Sequence, residues 1–168
     1  MKRLVKILAP LVLGLIVAIP LVSAQGTPIG EADTAAGESV YNSTCMACHQ
    51  ANGQGLPGAF PPLADHVDEL VKAEGGRTYV TNVVLWGLQG AIDVNGMTYN
   101  SIMTPQSHLN DQQIADVLNY VVTAWEGAAK LPEGFLAFTA EEVAAQRATQ
   151  KTPAEVLAMR EALQLGAE

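Results

Sequence analysis

A chain of 168 residues with 9 basic and 17 acidic side chains, a net charge of −8 and an isoelectric point near 4.7 sets early limits. The length suits one modest domain with additions, and the acidity excludes a surface for nucleic acid or anionic lipid. Aromatic residues make up only 5% of the chain, few for a stable core of this size.

Lys2, Arg3 and Lys6 precede a stretch, Ile7 to Val22, that is apolar apart from glycine and proline, and Val22-Ser23-Ala24 offers the small residues that a signal peptidase reads. Residues 1–24 therefore read as a secretory signal peptide. No charged residue appears from Ile7 to Gly30, a span long enough to remain as a membrane anchor; Pro20, which breaks a helix just before the cleavage site, favours cleavage. Either way the rest of the chain is expected in the periplasm or at the outer face of the cytoplasmic membrane, touching the membrane only if the signal is uncut. Cleavage removes three of the 9 basic residues and none of the 17 acidic ones, leaving a net charge of −11. Residues 25–34, rich in Gly, Ala, Thr and acids, read as a flexible leader.

A helical domain is expected over 35–126. Its first helix starts near Ala35 and carries Gly37 and Tyr41 on one face before reaching Cys45-Met46-Ala47-Cys48-His49. A Cys-x-x-Cys-His run is the attachment site of c-type haem: both thiols bond the porphyrin, and the histidine that follows is carried beneath the ring to bind iron. The run uses both cysteines of the chain. Gln50 to Phe60, uncharged and glycine-rich, is a loop able to lie close to a flat ring. In Pro61-Pro62-Leu63, the Pro61 carbonyl is a candidate acceptor for the second nitrogen of His49, and Leu63 a candidate to pack on the haem face.

Helices follow over Val67 to about Glu74 and Thr78 to Leu88. Asn95-Gly96 between short β-prone runs marks one small two-stranded ribbon. The last helix of the domain, Asp111 to about Trp125, is signalled by Asn110 and Gln113 as a capping box and by Leu109 with Ile114 as a hydrophobic staple. Its apolar stripe is Ile114, Val117, Leu118, Val121 and Val122, with Tyr120 placed to pack on Gly37.

The second iron ligand decides what the haem does, since a thioether favours Fe(II) whereas an open site admits small ligands. Met97, Met103, His66 and His108 are the candidates. Met97 follows the ribbon's turn and suits a strand, and His66 begins a helix and suits the surface. Met103 is the first choice, in an irregular stretch, Asn100 to His108, able to reach the face opposite His49; His108 is the second. Residues 127–168 form a helical C-terminal extension, with Thr139 and Glu142 capping one helix and Thr152, Pro153 and Glu155 starting another. Neither helix is long enough to be stable alone, so the extension is expected to pack on the haem domain.

The order of motif, methionine loop and terminal helix resembles the class I c-type cytochromes. The runs His49 to Gly55, Pro57 to Ala64, Gly87 to Gly90, Gly96-Met97, Tyr99-Asn100 and Phe138 to Val143 are similar to the soluble cytochromes c of Thermus-type thermophilic bacteria, over about Ala36 to Leu165. The resemblance implies an all-α class I fold around one covalent haem c, with Cys45 and Cys48 as attachment, His49 and Met103 as axial ligands, and electron delivery to a haem–copper terminal oxidase rather than enzymatic turnover. A quinol-oxidising complex or another cytochrome is the expected donor, and the carrier is expected to be monomeric. The strong acidity is a departure from the lysine-rich surface that the resemblance implies, and it bears on the partner. The other readings are a cytochrome subunit of a periplasmic dehydrogenase or reductase, or a small-ligand-binding haem protein if Met103 does not bind iron.

Overall fold

A computed structural model of the chain describes residues 26–163 and 165. The expected signal peptide lies outside them, and among the described residues no helix is long and apolar enough to cross a membrane. The first helix runs in three stretches: α1 (Ala35–Val40), one wider π-helical turn (Tyr41–Cys45), and α2 (Met46–His49). Single wide turns of this kind often lie at functional sites. Here the turn buries Tyr41 completely, its hydroxyl donating to the Gln50 carbonyl at 2.6 Å.

The helices α3 (Val67–Lys72) and α4 (Gly76–Trp86) follow, then α5 (Asp111–Thr123). The start of α5 is fixed locally: Gln113 N–H donates to Asn110 Oδ1 at 2.9 Å, and Asn110 N–H donates to Gln113 Oε1 at 3.0 Å. Helices α1 and α5 pack at Gly37, where a Cβ would stand 2.1 Å from the Asp116 carbonyl oxygen and 2.8 Å from Tyr120 Cβ. Only hydrogen fits there without moving backbone. Gly37→Ala is expected to destabilise the protein by about 1–3 kcal/mol, read as a lower denaturant midpoint. An unchanged midpoint would show that the two helices can separate freely.

The sequence points to one ribbon; the described residues form two. The strands β2 (Ile92–Val94) and β3 (Met97–Tyr99) pair antiparallel, Val94 facing Met97, around Asn95 and Gly96, both at positive φ. The second ribbon pairs β1 (Leu88–Gln89) with β4 (Ile102–Met103), Leu88 facing Met103. Met103 is therefore a strand residue, not part of an irregular stretch. Two paired residues are too few to leave a periodic pattern in the sequence. The pairing depends on Gly87 (φ 76°), where a Cβ would come within 2.4 Å of the Met103 carbonyl oxygen.

The extension turns back over the domain through α6 (Ala140–Arg147) and α7 (Pro153–Ala162), both opened by a threonine capping box. Val143 and Val156 are fully buried, and Phe138 nearly so, in the same core as Leu85, Ile114 and Leu118. Polar clasps fix the path. Asn119, on α5, accepts from the Phe138 N–H at 2.7 Å and donates to the Phe138 carbonyl at 3.0 Å. Arg77, on α4, pairs with Glu142, donates to the Leu136 and Ala137 carbonyls, and lies 3.9 Å from the centre of the Phe138 ring. Residues 27–29, within the stretch whose composition suggests a flexible leader, are tied down by the extension: Ile29 N–H donates to the Phe135 carbonyl and Ala137 N–H to the Thr27 carbonyl. A short edge of extended backbone at 135–137 supplies those partners.

Candidate functional site

A cavity of about 290 Å³ opens beside the C-terminal end of the first helix, and Cys45, Cys48 and His49 line it. One helical turn sets both sulfurs toward the same space. His49 is nine-tenths buried, and its Nδ1 lies 2.9 Å from the Pro61 carbonyl oxygen. A carbonyl only accepts, so Nδ1 carries the proton and Nε2 keeps its lone pair. Burial lowers the His49 pKa, with the Pro61 bond opposing in part, so the imidazole is held neutral, the form that binds a metal. Burial first, and the neighbouring Cys48 second, push the Cys45 thiol up to about 11.

The remaining walls are mostly apolar, with Leu63, Val80, Val84, Leu88, Val117 and Leu118 among them. Of the four candidates for a second ligand, Met103 and His66 line the cavity; Met97 and His108 do not. Met97 is half-exposed, and its sulfur accepts from the Gly58 N–H at 3.1 Å. His66 is buried rather than on the surface, because the extension covers it: Arg160 of α7 places Nη1 3.4 Å from His66 Nε2. That guanidinium and burial, burial foremost, lower the His66 pKa to about 4.

Arg160, His66 and Tyr79 make one polar end in a mostly apolar cavity. Arg160 is buried, donates to the Asp93 carbonyl at 2.8 Å, and makes no carboxylate ion pair among the described residues. Among the described residues His66 Nδ1 has no hydrogen-bond partner, the Glu69 carboxylate approaching only to 3.5 Å. A buried cation without its anion is costly. A flat apolar group that brings its own carboxylates, as haem does, fits this cavity: mostly apolar walls for the ring, thiols and a neutral imidazole on one side, a thioether on the wall, and at the polar end a guanidinium with no carboxylate partner among the described residues. Sequence reasoning missed Arg160 and misplaced His66. The available signal was the spacing Val156, Arg160, Leu163, which sets a cation on the buried stripe of the last helix.

The rim is uncharged. Gln50 to Leu63 and Met97 to Leu109 contain no acid, lysine or arginine. The two stretches are tied together by the Gly58–Met97 contact and by the Ser101 hydroxyl, which donates to the Ala59 carbonyl at 2.6 Å. Leu56, Met97 and Ile102 are the large apolar side chains they expose.

Comparison with known proteins gives a consistent result. The family model described as Cytochrome c matches residues 34–125. The chain is 52% identical over 140 residues to a Cytochrome c-552 of Thermus thermophilus, covering 83% of this chain and 91% of that protein. It is 54% identical over 129 residues to a second Thermus thermophilus Cytochrome c-552, covering 77% and 97%. It is also 34% identical over 92 residues to the cytochrome c subunit of a quinone alcohol dehydrogenase from Gluconobacter oxydans, covering 54% of this chain but only 18% of that protein.

Proposed function

The chain belongs to the cytochrome c family, and from that premise we propose that it is an exported, soluble, monomeric carrier that passes single electrons from a quinol-oxidising complex or another cytochrome to a haem–copper terminal oxidase. Its cofactor is covalently bound haem c, attached at Cys45 and Cys48. The haem supplies a one-electron couple, and the axial ligands set its potential. In this reading His49 and Met103 are those ligands. Pro61 orients the His49 ring, Leu63 contributes apolar wall, and Arg160 with His66 receives the haem carboxylates. The single observation that carries the reading is the convergence of Cys45, Cys48, His49 and Met103 on one cavity with an uncharged rim.

A carrier docks briefly and does no bond chemistry. Leu56, Met97 and Ile102 offer an apolar contact, and contacts of that kind depend little on salt because they carry no local charge to screen. The much greater coverage of the Thermus relatives than of the dehydrogenase subunit favours a free carrier over a subunit of a larger enzyme. Stopped-flow oxidation of the reduced protein by a purified haem–copper oxidase tests this. The rate is expected to change less than about twofold as the Debye length shortens from about 30 to about 8 Å. A steep fall with salt would place the steering on charge, and absence of oxidation would remove the oxidase as acceptor.

A further inference from the structure

We infer that Arg147, in the C-terminal extension, is a positioning residue for the segment that carries Met103; this rests on the reading of Met103 as the sulfur ligand. Residues 104–110 join β4 to α5. At the near end, Met103 is held by its pairing with Leu88. In the middle, the Gln106 N–H donates to the Val84 carbonyl at 2.9 Å, and the Leu109 N–H closes a turn onto the Gln106 carbonyl at 3.0 Å. The far end is held from outside the domain. Arg147, the last residue of α6, donates from Nη1 to the Ser107 carbonyl at 3.0 Å, from Nη2 to the Leu109 carbonyl at 2.7 Å, and from Nε to Asp111 Oδ1 at 2.6 Å.

One rigid planar fork thus joins two loop carbonyls to the first residue of α5. A lysine cannot reproduce this, because its single ammonium cannot meet three acceptors spread around a guanidinium. The fork is itself held in place, since α6 is anchored by the fully buried Val143 and by its capping box. The Met103 segment is therefore clamped on both sides, by a ribbon of its own domain and by the extension. An outward swing of the segment would carry the sulfur off iron. That motion breaks the Arg147 bonds if the segment moves from Ser107 onward. The extension then does more than add stability: it keeps the sixth position closed to other ligands.

The test uses the haem-loaded, oxidised protein. Three quantities are measured: the weak red-edge absorption band of a thioether on Fe(III), the rate at which cyanide replaces the sulfur, and the melting temperature. The variants are Arg147→Ala, Arg147→Lys and Arg77→Ala. The last loosens the same extension at a clasp that touches neither Ser107 nor Leu109. Cyanide is expected to bind Arg147→Ala at least about tenfold faster than the parent, about 1.4 kcal/mol in the opening equilibrium. Arg147→Lys should fall between, at about threefold. Arg77→Ala should melt lower while its cyanide rate stays within about twofold of the parent. If both Arg147 variants bind cyanide at the parent rate, the inference is overturned; the lysine variant decides alone if the alanine variant fails to fold. Equal acceleration by Arg77→Ala would also overturn it, by showing a general loosening. A parent protein without the red-edge band would instead refute Met103 as ligand, and the inference with it.

Discussion

Replacing Met103 by alanine is expected to abolish the thioether–Fe(III) band at the red edge of the spectrum and to leave an iron site that takes up cyanide without delay. Met103→His should close the site again but lower the reduction potential by on the order of hundreds of millivolts, a large part of the roughly 0.8 V range that axial ligands span. The cause is softness: a thioether stabilises Fe(II), whereas an imidazole donates more strongly to Fe(III). Met97→Ala is the matching control. Its sulfur is occupied by the Gly58 N–H, and it does not line the cavity, so its loss should leave the band and the potential in place. Persistence of the band in Met103→Ala would assign the sulfur ligand elsewhere.

Truncation after Lys130 should lower the melting temperature of the haem-loaded protein by more than about 20 °C, or prevent folding altogether. The extension contributes Phe138, Val143 and Val156 to the core, all essentially inaccessible to solvent. Three such side chains are worth roughly 5–8 kcal/mol, as much as the whole net stability of many domains. The truncation also leaves Asn119 without its two bonds to Phe138 and removes the cover from His66. Calorimetry or absorbance melting of the two forms makes the comparison. An unchanged melting temperature would mean that the extension is an appendage and that the domain core closes without it.

The attachment motif could be read without a structure, because haem attachment needs two thiols and an imidazole within one helical turn and nothing from elsewhere in the chain. The starts of α5, α6 and α7 could be read for the same reason. Asn110 with Gln113, Thr139 with Glu142, and Thr152 with Glu155 satisfy free helix-terminal N–H groups three residues away. The Asn95-Gly96 turn belongs with them, since its positive φ angles are a property of those two residues.

His66 shows where local reading stops. Its neighbours in sequence suit a surface helix start, yet it is buried because Arg160, far along the chain, is folded onto it. The placing of Met103 in a strand is similar: a two-residue pairing with Leu88 leaves no periodicity to detect, and it exists because Gly87 allows the backbones to meet. The hold of Arg147 on Ser107 and Leu109 has no sequence signature at all, since backbone carbonyls are the same at every residue.

By itself, then, the sequence determined the cofactor chemistry, the helix boundaries with caps and the hairpin turn, all of which depend on groups within a few residues of one another. The tertiary structure alone decided which candidate ligands share a cavity with His49, where the buried guanidinium lies, and how the extension grips the methionine segment. Those outcomes come from packing a shared core between distant segments, and no local propensity encodes which distant partner a side chain will meet.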